Sequence, residues 1–171
     1  MIIFETERLV VRQFAESDMD NFFCLSGNEE VMRYIRKTST KDESDIFLME
    51  NIAGYEKFPH RGRWAVQEKQ TGNFAGSFAI IPLPWNTEQI QLGYSLKPEN
   101  WGKGYATELT REGLSYFFAT DRLNEIYGVT ESPNTVSQKV LLKSGFRPFG
   151  KRNEEEKELL IFIAERKSEF T

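Results

Sequence analysis

Nothing constrains this chain more than the run Asn100-Trp101-Gly102-Lys103-Gly104-Tyr105-Ala106-Thr107-Glu108. It follows an alternating segment, Gln89 to Leu96, and opens a helical pattern from about Ala106 to Ala119. A strand that feeds a glycine turn and then a helix presents unpaired N–H groups at the positive end of the helix dipole, where phosphate binds. Glycine at 102 and 104 removes the Cβ atoms that would hold a pyrophosphate off those amides. Two common phosphate loops are excluded. A P-loop requires Gly-Lys-Ser/Thr, but Lys103 precedes Gly104; a dinucleotide fingerprint requires a third glycine or alanine where Thr107 stands. The turn implies some other phosphate-bearing ligand.

A second constellation lies downstream. Asn134-Thr135-Val136-Ser137-Gln138-Lys139-Val140-Leu141-Leu142-Lys143-Ser144-Gly145-Phe146 reads as a short helix closed by a glycine C-cap and followed by a strand. Together the two motifs resemble the GNAT superfamily of acyl-CoA-dependent N-acyltransferases, and within it the RimJ/RimL type. The resemblance extends to Glu7-Arg8-Leu9-Val10-Val11-Arg12 and to Glu30-Val31-Met32-Arg33-Tyr34, so it spans nearly the whole chain. Two motifs in the right order, on the expected elements, are far more specific than a lone glycine turn.

The resemblance implies an N-acetyltransferase that moves the acetyl group of acetyl-CoA directly to a primary amine. The pyrophosphate is then expected on Gly102, Lys103, Gly104, Tyr105, Ala106 and Thr107, with the thioester arm beside Leu96 and Asn134. Lys103 also reads simply as a solvated side chain. The superfamily's usual Gln or Arg before the glycine turn is Glu99 here, which removes one possible phosphate contact. Ser137, one helical turn beyond Asn134, is the expected donor of a proton to the leaving thiolate. Many relatives use a tyrosine for that task at the position occupied by Leu141. Tyr94 is a further catalytic candidate, and Arg33, Tyr34 and Gln91 fall on segments that line the acceptor pocket in similar proteins.

The general base stays open. Amine attack requires the neutral amine, so an ammonium must lose a proton. Where the family often carries an acid this chain has Gln91, and on the following strand Val129. Glu88, Glu131, Tyr94, the single His60 and a water chain are the alternatives. That gap also admits a reading of another class, a non-catalytic acyl-CoA-binding or sensor module on the same fold.

Composition narrows the rest. One cysteine excludes an internal disulfide, and its neighbours Phe22, Phe23 and Leu25 suggest that Cys24 is a buried core thiol. No His/Cys cluster indicates a metal. A net charge of −4 argues against nucleic acid and mildly favours a cationic substrate. No apolar run approaches a membrane span, and the start turns charged too early for a signal peptide, so a cytoplasmic protein is expected. The implied partners are acetyl-CoA and an amine acceptor, with a homodimer as an open option.

With 171 residues the chain suits a single domain over 1–171. Helix caps are readable at Ser17, Asn28 and the Thr40–Glu43 capping box, whose helix is expected to turn Ile46, Phe47, Met49, Ile52 and Ala53 inward. Strand patterns follow at Leu9–Phe14, Arg63–Glu68, Asn73–Ile81, Gln89–Leu96, Glu125–Thr130, Phe146–Lys151 and Leu159–Glu165. Arg36–Thr40 and Pro82–Thr87 read as loops available to an acceptor pocket. The sum is an α+β fold with a mostly antiparallel mixed sheet of six or seven strands, and the resemblance adds a central V-shaped splay.

Overall fold

A computed structural model describes residues 1–168, and residues 169–171 lie outside that range. The elements in chain order are β1 (Ile2–Glu5), β2 (Leu9–Arg12), α1 (Met19–Ser26), α2 (Glu29–Met32), α3 (Lys41–Ala53), β3 (Gly62–Glu68), β4 (Phe74–Leu83) and β5 (Asn86–Leu96). Then come α4 (Tyr105–Thr120), β6 (Glu125–Glu131), α5 (Thr135–Lys143), β7 (Arg147–Glu154) and β8 (Lys157–Glu165). The strands form one eight-stranded sheet in the order β1-β2-β3-β4-β5-β6-β8-β7. Every neighbouring pair is antiparallel except β5–β6. The GNAT-like α+β arrangement is as expected, with one strand more than the six or seven expected. The addition is β1, an edge strand too short and too flanked by charge to read as one.

Strand alternation sorts the core into two faces. Leu9, Val11, Trp64, Val66, Phe78, Ile80, Ile90 and Leu92 pack with Leu109 and Phe117 of α4 on the first face. Gly113 permits that packing, because a Cβ there would meet the Phe78 ring at 2.3 Å. On the second face, α1, α2 and α3 bury Phe22, Leu25, Val31, Met32 and Leu48 against Ala65 and Phe74. Asp18 ties this layer to β2. It accepts from both Arg12 terminal nitrogens at 2.7 and 3.0 Å, from the Ala15 amide at 2.9 Å and from Asn21 at 3.0 Å.

Two of the three caps form as read, but Ser17 caps nothing: it lies inside a short 3-10 turn, Glu16–Asp18, and Asp18 takes the N-cap position of α1. Asn28 accepts from the amides of Glu30 and Val31, and Thr40 with Glu43 closes a reciprocal box. The phase of α3 differs from expectation. Ser44 and Leu48 face inward, while Ile46, Phe47 and Met49 are 61%, 37% and 38% exposed. A hydroxyl fixes that phase, since Ser44 pairs with Ser26 at 2.7 Å inside the layer. Cys24 is exposed, because Phe22, Leu25 and Ser26 occupy the inward stripe of α1 at helical spacing. Pro82–Thr87 is not a loop. It is a tight hairpin in which β4 continues to Leu83 and β5 begins at Asn86. Pro82 is tolerated at the irregularity between Pro82 and Leu83, where the ladder lacks a regular bond for it to break.

Candidate active site

The sheet is interrupted in one place. β5 and β6 share a single register pair, Gln91↔Tyr127. Their outer edges are paired, from Gly76↔Leu96 to Leu83↔Asn86 on one side, with an irregularity between Pro82 and Leu83, and from Glu125↔Glu165 to Glu131↔Leu159 on the other. Beyond the shared pair the strands diverge, leaving inner edges without a ladder at Gly93–Leu96 and Val129–Glu131. Both strands run the same way, so the V opens at their carboxyl ends, where α4 and α5 begin. Open sheets bind ligands at such a switch point.

The glycine turn stands at this opening. Gly102 and Gly104 have φ of 72° and 81°, and Gly104 is the N-cap of α4. Glycine is required here by the left-handed backbone more than by the room it leaves. A Cβ on Gly102 would meet nothing within 4 Å, and one on Gly104 would meet only an Arg8 terminal nitrogen at 3.4 Å. The first amide to enter the helical ladder is that of Glu108, which donates to the Gly104 carbonyl at 3.1 Å. The amides from Gly102 to Thr107 have no partner among the described residues.

Side chains brace this turn from behind. Tyr105 donates to Glu68 at 2.8 Å, and Glu108 accepts from Thr6 at 2.5 Å and from the Arg8 amide and Nε at 2.8 Å each. Burial alone would raise the Glu108 carboxyl; Thr6 and Arg8 together hold it below its ordinary range. Lys103 donates to Asn100 at 3.1 Å and lies 3.7 Å from Glu68, so its ammonium is engaged by the protein. Glu99 pairs with Lys97 at 2.7 Å. Trp101 donates its indole N–H to the Leu96 carbonyl at 2.9 Å, fixing the turn to the end of β5.

Across the V, Asn134 accepts from the Ser137 amide at 3.3 Å, and its carboxamide N–H groups have no partner among the described residues. Ser137 Oγ lies 3.2 Å from the Tyr94 hydroxyl, which joins α5 to β5 over the gap. Burial raises the Tyr94 phenol above its ordinary value, and the bond to Ser137 partly offsets the rise. Leu141 is buried against Gly128, where a Cβ would approach it to 2.7 Å, so α5 lies on the same face as α4. Thr130 is buried on that face with a hydroxyl that has no partner. Periodicity gave no sign of it, since the orphan is defined by its surroundings among the described residues.

The other face of the V carries a different set. Gln91 donates to the Pro82 carbonyl at 3.4 Å, and Tyr127 and Val129 sit in an apolar cluster with Leu83, Ile161 and Ile163. Alternation brings Glu131 to this face, largely buried and 3.6 Å from Lys157. Arg33 lines a neighbouring cleft of about 330 Å³ with Glu29, Arg36, Lys37 and Lys157. Tyr34 lies outside that lining and packs under the Arg33 guanidinium, 5.2 Å from its ring centroid. Two base candidates fall away by position. His60 contacts Tyr116 near the far end of α4 at 3.1 Å, and Glu88 sits by the closed hairpin end of β5.

Unpaired amides and a carboxamide around a strand gap fit a long ligand that carries phosphate and amide groups. No cluster of His, Cys, Asp and Glu among the described residues could hold a metal ion, and no described helix is long and apolar enough to cross a membrane. The family model for an acetyltransferase (GNAT) domain matches residues 8–147. The chain is 30% identical over 149 residues to the uncharacterized N-acetyltransferase YoaA of Bacillus subtilis, covering 86% of this chain and 84% of that one. RimL, a ribosomal L7/L12 alpha-N-protein acetyltransferase in complex with coenzyme A, superposes with a TM-score of 0.82 at 13% identity, over 97% of this chain and 98% of RimL. A spermidine N-acetyltransferase of Vibrio cholerae, in complex with coenzyme A and spermine, superposes with a TM-score of 0.76 at 21% identity, over 92% and 95% of the two chains.

Proposed function

The chain belongs to the GNAT acetyltransferase family, and from that premise we propose that it moves the acetyl group of acetyl-CoA directly to a primary amine, on a protein N-terminus or a small molecule. The observation that carries this reading is the row of unpaired amides from Gly102 to Thr107 at the mouth of the V. Those amides hold the pyrophosphate, with Lys103 adding charge, while the edge near Leu96 and the Asn134 carboxamide hold the arm. The RimJ/RimL-like motifs favour an enzyme of that subtype, with the cytoplasm as its expected location.

The acceptor enters from the opposite face, near Gln91, Arg33 and Tyr34. Glu131 takes the ammonium proton, directly or through water, because it is the one candidate carboxylate at the open end of that face. The freed nitrogen bonds to the thioester carbon, backbone donors stabilise the developing oxyanion, and the attached nitrogen gives up its second proton through water, so that a neutral amide remains when the thiolate leaves. The carbon–sulfur bond then breaks, and Ser137, held by Tyr94, gives the thiolate its proton. The thiolate-side proton returns to Ser137 and Tyr94 from solvent.

The lack of an acid at Gln91 and Val129 is what favours the second reading, a non-catalytic acyl-CoA-binding module. Coenzyme A release from acetyl-CoA across an amine panel separates the two. A binding module holds acetyl-CoA and releases no thiol whichever amine is added.

A further inference from the structure

The acceptor face holds two guanidinium groups with no anion to meet. Arg63 of β3 is paired with Ala79 of β4, and Ala79 with Gly93 of β5, at the lip of the V. Directly opposed residues project from one face. This row therefore runs from a guanidinium, over a methyl group and then a bare Cα, to the splayed edge. Beside it lies a second row of small residues, Ala65, Ser77 and Ser95. The space over Gly93 is open, since a Cβ there would meet nothing within 4 Å. Two strand spacings, about 10 Å, separate the Arg63 and Gly93 backbones.

Phe47 of α3 gathers both arginines. The Cζ atoms of Arg36 and Arg63 lie 5.1 and 5.6 Å from its ring centroid. A ring face attracts a cation but accepts none of the guanidinium's directed hydrogen bonds. Among the described residues neither group forms an ion pair. Burial, and after it the charge of Arg36, pushes the Arg63 guanidinium down to about 10. Arg36 also borders the cleft of Arg33, Lys37 and Lys157, where Glu29 is the one acid. This concentration of positive charge is local, for the chain as a whole carries −4.

Arg63 is half-buried and Arg36 exposed beside it, and the planar fork of a guanidinium matches the paired oxygens of a carboxylate or phosphate. We infer that the acceptor is an amine that also carries a carboxylate or phosphate, clamped by Arg63 and Arg36 while the amine lies over Gly93. This rests on the acetyltransferase reading. It selects amino-acid-like or phosphorylated amines over polyamines and neutral amines.

Paired probes test the clamp: β-alanine and γ-aminobutyrate against their amides, and O-phosphoethanolamine against ethanolamine. Calorimetric titration into the coenzyme A complex reads binding without turnover. The anionic member of at least one pair should bind about 10- to 100-fold more tightly, and the pair that responds identifies the anion. Arg63→Met should erase the difference and Arg63→Lys retain part of it, with an unfolding temperature at or above wild type showing that each variant is folded. The wild-type comparison within each pair depends on no variant. Equal affinities in every pair, tighter binding of the neutral member or of spermine, or no binding of any anionic amine at millimolar concentration would overturn the inference. Coenzyme A release reads the underlying activity separately. An anionic preference without release keeps the clamp and removes the transferase; equal release from both members of each pair keeps the transferase and removes the clamp.

Discussion

The hydroxyl of Tyr94 meets the hydroxyl of Ser137 at 3.2 Å across the gap between β5 and α5. Either can donate, so the pair can pass a proton to the V while Tyr94 fixes the Ser137 rotamer. Ser137→Ala is expected to lower kcat by about 10- to 1,000-fold, near or below the usual range for a general acid, because a coenzyme A thiolate is already a fair leaving group. The Kd for acetyl-CoA should change far less. A mutant with full kcat and lost acetyl-CoA binding would make Ser137 a binding residue and move the proton donor to Tyr94.

Burial raises the Tyr94 phenol, so its neutral form persists to higher pH than in a free tyrosine. A group whose neutral form is the donor keeps donating until the pH passes its folded pKa. The kcat profile should therefore show no alkaline loss from this pair below about pH 10, the ordinary phenol value. A fall in kcat beginning near pH 8 and abolished in Tyr94→Phe would contradict this assignment.

Glu131→Gln removes the proposed proton acceptor and keeps the shape. The expected loss in kcat/KM is about 100- to 10,000-fold, with the acetyl-CoA Kd unchanged by calorimetry. Wild-type turnover in the mutant would hand the base role to a water chain.

Gly104→Val forces a β-branched residue to a φ of 81° and brings its Cβ toward Arg8. Stability should fall by about 1–2 kcal/mol in denaturant melts, and acetyl-CoA binding should weaken by at least about 10-fold, roughly the worth of one or two lost hydrogen bonds to phosphate. Undiminished affinity in a folded mutant would displace the donor site from this turn.

For Asp18, burial alone would raise the carboxyl, but Arg12, the Ala15 amide and Asn21 together hold it below its ordinary range. A carboxyl that titrates lower in the folded than in the unfolded chain contributes stability in full above about pH 4 and loses it as pH falls through the folded pKa. Arg12→Met leaves that charge buried without its main partner and should cost about 3 kcal/mol at neutral pH. The penalty should shrink in urea melts below pH 4, where Asp18 takes up a proton. An equal penalty at both pH values would show that Arg12 acts through packing alone.

Much of the donor side was legible because it is local. Gly102, Gly104, Asn134 and Ser137 sit where cap and turn chemistry is written into neighbouring residues, and each stands at the V as expected. The acceptor side was not, because it is assembled by register. Arg63 shares a row with Gly93 only through the pairing of β3 with β4 and of β4 with β5, which no local pattern encodes. The phase of α3 was misread for a related reason. Counting apolar residues favoured Ile46 and Met49, while a hydroxyl pair, Ser26–Ser44, sets the inward stripe. Thr130 was invisible from the sequence because an orphaned hydroxyl is defined by what fails to surround it.

The amides along the glycine turn have a consequence for how such a chain can drift. A main-chain N–H is supplied by every residue type except proline, so most substitutions leave that surface chemically unchanged as long as the left-handed angles at Gly102 and Gly104 survive. The opposite face is made of side chains, and each exchange at Arg33, Arg36, Arg63 or Gln91 alters what it can recognise. One side of the splay is thus buffered against mutation and the other is exposed to it. Under the proposed function, a chain of this design can acquire a new acceptor by a handful of replacements without renegotiating its grip on the donor.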